Sequence, residues 1–183
     1  MRILGIDPGS SVTGYGVVER VGADLVHRTH GTLRPPKSQE QAVRLAAIQS
    51  GLAQVIEAHA PDLAVVEQVF VASSPRSALI LGQARGAVLA AAGASGLPVE
   101  EVSAREIKQA VVGTGAAPKA QVQLMVKRIL QLERKPPQDA ADALAAAICR
   151  AHRGRLVDLA RGAPRRRSRA RRSGSGFVMR RSR

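Results

Sequence analysis

Apolar residues in the early part of the chain fall into short runs that predict β-strands. The first run, residues 2–7, stops at Asp7-Pro8-Gly9, which is a turn signal. Further strands are predicted at residues 13–19 and 24–33, and the short turns between these three strands indicate an antiparallel meander. A fourth run, at residues 63–66, is apolar at every position, which is typical of a strand that is buried on both faces.

Helical spacing of apolar residues accounts for most of the remaining chain, with one more strand predicted at residues 98–102. Two helix starts carry capping signals, because Pro75 follows Ser74 and Glu106 follows Ser103 at the capping-box spacing. Predicted helices cover residues 39–59, run from Pro75 toward Gly93, and begin after Ser103, at Pro118 and after Pro137. The resulting order, β-β-β-α-β-α-β-α-α-α, predicts an α/β fold in which a five-stranded mixed sheet is flanked by helices on both faces.

Charge separates the chain into a mildly basic body and a strongly basic end. The formal net charge is +14 over 183 residues, and residues 163–183 contain nine Arg and no acid, so subtracting nine from +14 leaves +5 on residues 1–162. We therefore expect one domain over residues 1–160 and a basic, disordered tail over residues 161–183. Two interpretations of the tail stay open: a solvated segment with incidental affinity for polyanions, or a dedicated DNA-binding segment.

Composition disfavours several classes of protein. We find no apolar stretch near the roughly 20 residues that a membrane span needs, and the N-terminus lacks the pattern of a signal peptide. The single cysteine, Cys149, cannot form an internal disulfide, which fits a reducing compartment, so we expect a cytoplasmic protein. The four histidines show no metal-ligand spacing, and neither a zinc motif nor a Ser-His-Asp set is indicated.

Four acidic residues, among only fourteen in the chain, occupy positions that suit a metal-dependent nuclease. Asp7 and Glu67 each end an apolar strand run, so both can emerge at one edge of the sheet if the strands are neighbours. Asp139 and Asp142 are three residues apart in a predicted first helical turn, so they share one helix face. Taken singly, Asp7 is explained as a turn residue and the helix acids as partners of the helix dipole. Together the four supply the hard oxygen donors that Mg²⁺ prefers.

Longer motifs around these acids make the chain resemble the RuvC family of Holliday-junction resolvases. The matching segments are ILGIDPGSSVTGYGVVE at 3–19, VVEQVF at 65–70, SALILGQARGAVL at 77–89, REIKQAVVGTGAAPKAQVQLMV at 105–126 and PPQDAADALAAAICRAH at 136–152. The resemblance implies an RNase H-like fold, a homodimer, and Mg²⁺- or Mn²⁺-dependent nicking of two opposing strands at a four-way DNA junction during recombination and repair. It further implies two metal ions per active site, with a RuvA–RuvB branch-migration complex as a partner. By the same resemblance the catalytic metal ligands are Asp7, Glu67, Asp139 and Asp142.

The family pattern also implies contacts to DNA outside the acidic set. The residues concerned are Phe70, Arg76, Lys108 and Lys119. An aromatic side chain stacks on unpaired bases for about 1–3 kcal/mol each, whereas a lysine holds phosphate without reading base sequence. Phe70 could instead be a core residue, and each lysine could lie on a solvated helix face. Gly82 and Gly86, four residues apart, predict a flat helix face that packs on the sheet or on a partner subunit.

Three other functions fit parts of the sequence. The segment IDPGSSVTG could serve as the phosphate loop of an actin-like or sugar-kinase ATPase, but such enzymes need two domains of this kind and 183 residues are too few. An architectural DNA-binding protein would have no need of four intact carboxylates. A related family with the same fold acts in RNA processing, although the EQVF and LGQARG segments favour the junction resolvase.

Overall fold

A computed structural model describes residues 1–36, 39–68 and 74–162, with side chains to residue 154. The strands are β1 Arg2–Asp7, β2 Thr13–Val21, β3 Asp24–Leu33, β4 Leu63–Gln68 and β5 Val99–Ser103. The helices are α1 Gln41–His59, α2 Pro75–Ala94, α3 Ala104–Val112, α4 Lys119–Ile129 and α5 Gln138–Gly162. This is the element order that the sequence predicts. Phe70 and the end of the chain from residue 163 lie outside the described residues, so the predictions for them and for the domain division stay predictions.

The five strands form one mixed sheet in the order β3-β2-β1-β4-β5. The pairs β1–β2 and β2–β3 are antiparallel, which confirms the predicted meander. The pairs β1–β4 and β4–β5 are parallel, as crossover connections through α1 and α2 require. β1 is therefore the central strand, with a neighbour on each side.

Helices cover both faces of the sheet, and the alternation of side chains along β1 divides the core between them. Ile3 points into a cluster with α3, α4 and α5, whereas Leu4 and Ile6 point into a cluster with α1 and α2. The same alternation holds in β4, where Val65 faces the first cluster and Val66 the second. The position of an acid near the end of either strand thus decides toward which face of the sheet its side chain points.

Glycines in β1 and β2 let α5 lie unusually close to the sheet. A Cβ atom at Gly5 would overlap the Ala143 carbonyl of α5, and one at Gly14 would overlap the Asp139 carbonyl. At Gly16 an added Cβ would meet the side chain of Leu144. Gly14 and Gly16 thus let α5 approach β2 closely. The α5 residues that face the sheet are small as well, since a run of alanines is fully buried there.

Local signals set the helix starts as expected, but two acids sit differently from the prediction. Ser74 caps α2 by accepting a hydrogen bond from the Ser77 backbone N–H, and Ser103 with Glu106 forms the predicted capping box of α3. Glu67 does not end its strand, because β4 continues to Gln68. Asp142 lies beyond the first turn of α5, which contains Asp139. β4 continues past its apolar run because Glu67 and Gln68 still pair with β5, and such pairing decides where a strand ends. Helix α5 begins after Pro137 as predicted, and Asp142 is its fifth residue, which lies one turn further than expected.

Helix α2 leaves an apolar face uncovered. Leu79 is 67% exposed, and an added Cβ at Gly82 or Gly86 would meet nothing within 4 Å. The alternative in which these glycines pack on the sheet is therefore wrong. The expectation that no apolar stretch nears membrane-span length is also wrong. By length and mean hydropathy α2 could cross a membrane, and only 22% of its most apolar 18-residue stretch is buried. A single helix of this kind is weak support for a membrane span.

Candidate active site

The sheet places Asp7 and Glu67 side by side on neighbouring parallel strands. Ile6 of β1 is in register with Val66 of β4, so the next residue of each strand lies at the same level. Because side chains alternate and both preceding residues face α1 and α2, both acids point toward α5. Two carboxylates thus meet at the carboxyl ends of two adjacent strands, as the sequence predicted.

Helix α5 brings Asp139 and Asp142 to the same place. The Asp139 carbonyl lies directly over Gly14, and Gly14 is the residue of β2 that pairs with Asp7. Asp142 follows three residues later, and together with Glu67 it lines a cleft of about 110 Å³ between α3, α4 and α5. The four acids therefore converge from two strands and one helix. Any side chain at position 14 would block this close approach of α5.

Two lysines that were predicted to contact DNA lie at the site, one on α3 and one on α4. Lys108 and Lys119 line the same cleft, and the Lys119 Nζ forms an ion pair with Asp142 Oδ2 at 3.0 Å. Partial burial lowers the pKa of Lys119, but the hydrogen bond to Asp142 and the charges of the acids outweigh it and raise the pKa overall. The ammonium is therefore a fixed positive charge among the carboxylates. Its position at the start of α4 follows from Pro118, which forms the N-cap.

Of the other two predicted DNA contacts, Phe70 lies outside the described residues, and Arg76 is not among the residues that line the cleft. Arg76 is exposed in the first turn of α2, next to residues that the structure does not describe, and it is absent from the cleft lining. Its role stays a prediction. Two residues near Asp7 were missed from the sequence. Gly5 lets α5 lie close to β1, and the Thr13 hydroxyl donates to the Gly9 carbonyl in the loop that follows Asp7. The signal for Gly5 was its place inside an otherwise apolar strand, where a glycine often marks close backbone approach.

Burial and mutual repulsion make this a strained set of charges. Burial, then the charges of Glu67 and Asp142, raise the pKa of Asp7 from 3.8 to about 7, although Lys119 opposes the rise. Burial and then Asp142 also raise the pKa of Glu67, against the opposing charges of the two lysines. Carboxylates crowded in this way are expected where a divalent cation binds.

The donor set fits a divalent cation. Carboxylate oxygens are the hard ligands that Mg²⁺ and Mn²⁺ take, and the raised pKa values show that negative charge is under-compensated here. Within residues 1–36, 39–68 and 74–154, no three candidate ligand side chains already stand in an ion-binding arrangement. The Lys119 ammonium forms an ion pair with Asp142 and so compensates part of the charge of that carboxylate.

The raised pKa of Asp7 predicts a stability effect in the metal-free protein. An acid whose folded pKa exceeds its unfolded value destabilises the fold as pH rises from about 4 to about 7, since the folded state must then release a proton that it holds more tightly. At pH 8 in EDTA we expect Asp7→Asn to raise the free energy of unfolding by about 2 kcal/mol; the full shift would give about 4 kcal/mol as an upper limit. The gain should vanish below about pH 4.

Chemical denaturation across this pH range measures the effect. Glu57→Gln, on the exposed surface of α1, removes one negative charge away from the cleft and is the control. A gain of equal size in both variants, or no dependence of the Asp7→Asn gain on pH, would contradict the prediction.

Comparisons with known proteins point to a single family. The family model described as crossover junction endodeoxyribonuclease RuvC matches residues 3–150. A relative of that name from Geobacter sulfurreducens is 53% identical over 152 residues, covering 83% of this chain and 93% of the relative. Another, from Acinetobacter baylyi, is 56% identical over 150 residues and covers 82% of both chains.

Among solved structures, that of T. thermophilus RuvC in complex with Holliday junction substrate superimposes with a TM-score of 0.81 at 34% identity, covering 86% of this chain and 96% of that one. The yeast mitochondrial Holliday junction resolvase Ydc2 has a TM-score of 0.65 at 12% identity, which speaks for the fold alone. The predicted RNase H-like fold is confirmed by these likenesses. With a family model covering residues 3–150 and relatives at about half identity, the chain belongs to the crossover junction endodeoxyribonuclease RuvC family.

Proposed function

We propose that this protein is an endonuclease that resolves four-way DNA junctions by paired, symmetric nicks in opposing strands, in homologous recombination and DNA repair. The observation that carries the proposal is the convergence of four carboxylates at one end of the sheet in a chain of this family. A relative with a closely similar fold was solved on a Holliday junction substrate, which supports the same class of substrate here.

Asp7, Glu67, Asp139 and Asp142 are the residues that would hold the metal, which we propose to be two Mg²⁺ ions per site with Mn²⁺ as a substitute. When bound, such ions supply an activated water for attack on the phosphodiester and stabilise the leaving oxygen. The rigid strands β1 and β4 fix two of the ligands, and the close contact of α5 with Gly14 fixes the level of the other two. The expected products carry a 5′-phosphate and a 3′-hydroxyl, so they can be ligated.

The two lysines of the cleft have a different proposed role from the acids, which is to bind the phosphate of the substrate. Lys108 and Lys119 line the acidic cleft and offer positive charge to the phosphate that must enter it. Without the two lysines, the negative phosphate would be repelled by all four carboxylates with no positive charge to offset them. The Lys119 ammonium, which donates to Asp142, would donate to a phosphate oxygen of the substrate if a bound cation compensated that carboxylate. Phe70 and Arg76 remain proposed contacts to the DNA on the side of α2.

A homodimer is the proposed functional unit. Two opposing strands must be cut at symmetric positions, and a two-fold axis relating two active sites supplies that symmetry. The uncovered apolar face of α2, which includes Leu79, Gly82 and Gly86, is the surface that we propose is covered by the second subunit. Its small residues allow close approach of two helices. A RuvA–RuvB branch-migration complex is the further proposed partner, and the cytoplasm is the proposed compartment.

A synthetic junction tests the proposed function directly. Each of its four strands is labelled in turn and the junction is incubated with the purified protein and Mg²⁺. We expect nicks at symmetry-related positions in two opposing strands, products that a ligase can seal, and far slower cleavage of a linear duplex of the same sequence. Equal cutting of duplex and junction would exclude a resolvase. Hydrolysis of ATP in a parallel assay would favour the ATPase alternative instead.

The basic end of the chain makes a separate prediction. Nine arginines without an acid in residues 163–183 should release counterions from DNA, so the full chain is expected to bind a junction more tightly than residues 1–162 at low salt. The logarithm of the affinity should also fall more steeply with the logarithm of salt concentration for the full chain. Binding is measured in EDTA, to prevent cleavage, at several salt concentrations. Equal slopes for the two proteins would show that these arginines make no phosphate contacts.

A further inference from the structure

The loop between Asp7 and β2 is held from the inside by Thr13. The Thr13 hydroxyl donates to the Gly9 carbonyl at 2.9 Å and accepts from the Gly9 backbone N–H at 3.4 Å. Thr13 is fully buried, the one polar residue in that state among those that the structure describes. The turn is tight, because an added Cβ at Gly9 would overlap the Val12 carbonyl. One side of the loop that follows Asp7 is thus anchored.

Arg44 of α1 holds the same loop from the outside. Its Nη2 donates to the Ser10 carbonyl at 2.5 Å, three residues from Asp7, and its Nη1 donates to Gln41 Oε1 at 3.4 Å. Gln41 in turn donates to Gln83 Oε1 of α2 at 3.1 Å. A hydrogen bond from a guanidinium to a carbonyl is charge-assisted, hence stronger than one between neutral groups. Arg44 therefore ties the loop to α1, on the face of the sheet opposite to the acids.

We propose that Arg44 is a positioning residue of the active site, acting on Asp7 through the Ser10 carbonyl. The inference rests on the proposed function, since it assigns Arg44 a part in holding one metal ligand. Asp7 ends β1 directly before this loop, so the hydrogen bonds of Thr13 and Arg44 to the loop set the path of the chain that leaves Asp7. Arg44 holds that path without being among the residues that line the acidic cleft. Residues that orient a metal ligand from behind commonly change activity or metal affinity by about 10- to 100-fold.

A stability role alone predicts something different for this side chain. The Arg44 Nε is buried and has no hydrogen-bond partner in the described part of the chain, so its desolvation is uncompensated. Arg44→Met keeps the aliphatic length and removes that buried polar atom. We therefore expect the unfolding midpoint of Arg44→Met to stay within about 3 °C of the wild type. A loss of activity at unchanged stability separates positioning from folding.

The experiment compares single-turnover nicking of a synthetic junction, its Mg²⁺ dependence and junction affinity in EDTA for the wild type, Arg44→Met and Arg44→Lys. Arg28→Met is the matched control, since Arg28 is an exposed arginine of β3 bound to Glu19 and its loss changes the net charge equally. We expect Arg44→Met to nick about 10- to 100-fold more slowly and to need several-fold more Mg²⁺, with junction affinity within about twofold of the wild type. Arg44→Lys, which keeps one cationic donor, should recover part of the rate.

Two results would overturn the proposal: wild-type nicking and Mg²⁺ dependence in Arg44→Met, or an equal loss in Arg28→Met. Should Arg44→Met fail to fold, Gln41→Ala removes the hydrogen bond of Arg44 Nη1 and leaves that of Nη2 to Ser10, so nicking should slow by only about threefold, below the range for loss of the whole side chain. No slowing there would equally count against the proposal. Failure of the proposed function has another signature. In that case the wild type itself leaves the junction intact, or Asp7→Asn nicks it as fast as the wild type.

Discussion

Asp7→Asn is expected to reduce nicking of a four-way junction by at least about 1,000-fold, the order of loss that accompanies removal of a central charge-stabilising group in an active site. The substitution replaces a carboxylate at the centre of the acidic set by an amide that is neutral and offers a single acceptor oxygen. Single-turnover kinetics on a labelled junction at saturating Mg²⁺ measure the loss. Asp24→Asn, at the exposed start of β3, removes the same charge far from the cleft and should nick at the wild-type rate.

The loss should be confined to chemistry and metal binding. Because the Asn side chain relieves repulsion among the acids, Asp7→Asn should fold at least as stably as the wild type and bind the junction in EDTA with equal or higher affinity. Unimpaired nicking by Asp7→Asn would remove Asp7 from the proposed ligands. A variant that fails to nick because it fails to bind the junction would instead assign Asp7 to the fold or the DNA surface.

Gly5→Ala is expected to have the largest effect on stability, a loss of about 3 kcal/mol in the free energy of unfolding. The new methyl group would overlap the Ala143 carbonyl and crowd the Ala147 nitrogen, and both are backbone atoms of α5 that no side-chain rotation can move aside. Over-packing a core costs about 1–3 kcal/mol even where side chains can adjust. Urea denaturation monitored by circular dichroism measures the change.

Gly93→Ala provides the matched control for this substitution. Gly93 lies near the end of α2, is exposed, and an added Cβ there would meet nothing within 4 Å. Alanine is the better helix former, so this variant should gain about 0.5 kcal/mol. Opposite signs for the two Gly-to-Ala changes are the expected outcome. A loss at Gly5 no greater than about 0.5 kcal/mol would mean that α5 can move away from the sheet at little cost.

Nicking by Gly5→Ala extends the same argument to function. Any outward shift of α5 carries Asp139 and Asp142 away from the strand acids, so the fraction of Gly5→Ala that remains folded should still nick slowly. A folded variant with the wild-type rate would show that the site tolerates movement of the helix. The packing of Gly5 against α5 is thus tied to the distance between the two strand acids and the two helix acids, which are the proposed ligands.

Sequence patterns predicted most of the fold because the signals are local. The turn after Asp7, the Ser74 cap and the capping box of Ser103 and Glu106 depend on residues within a few positions of one another, and the structure has each of them. The alternation in β1 and β4 also sufficed to aim Asp7 and Glu67 once the strands were paired. Ends of elements were less certain, as Glu67 within β4 and Asp142 beyond the first turn of α5 illustrate.

The chain alone determined which residues are candidates for the chemistry: four carboxylates in motifs of one family, a mildly basic body, and nine arginines in residues 163–183. Only the tertiary structure decided how these groups are held. Gly5 and Gly14 matter because α5 crosses them more than 100 positions later in the chain, Lys119 meets Asp142 across two helices, and Arg44 reaches Ser10 from the far side of the sheet. Such contacts join residues distant in sequence, and their geometry depends on packing that no local pattern encodes.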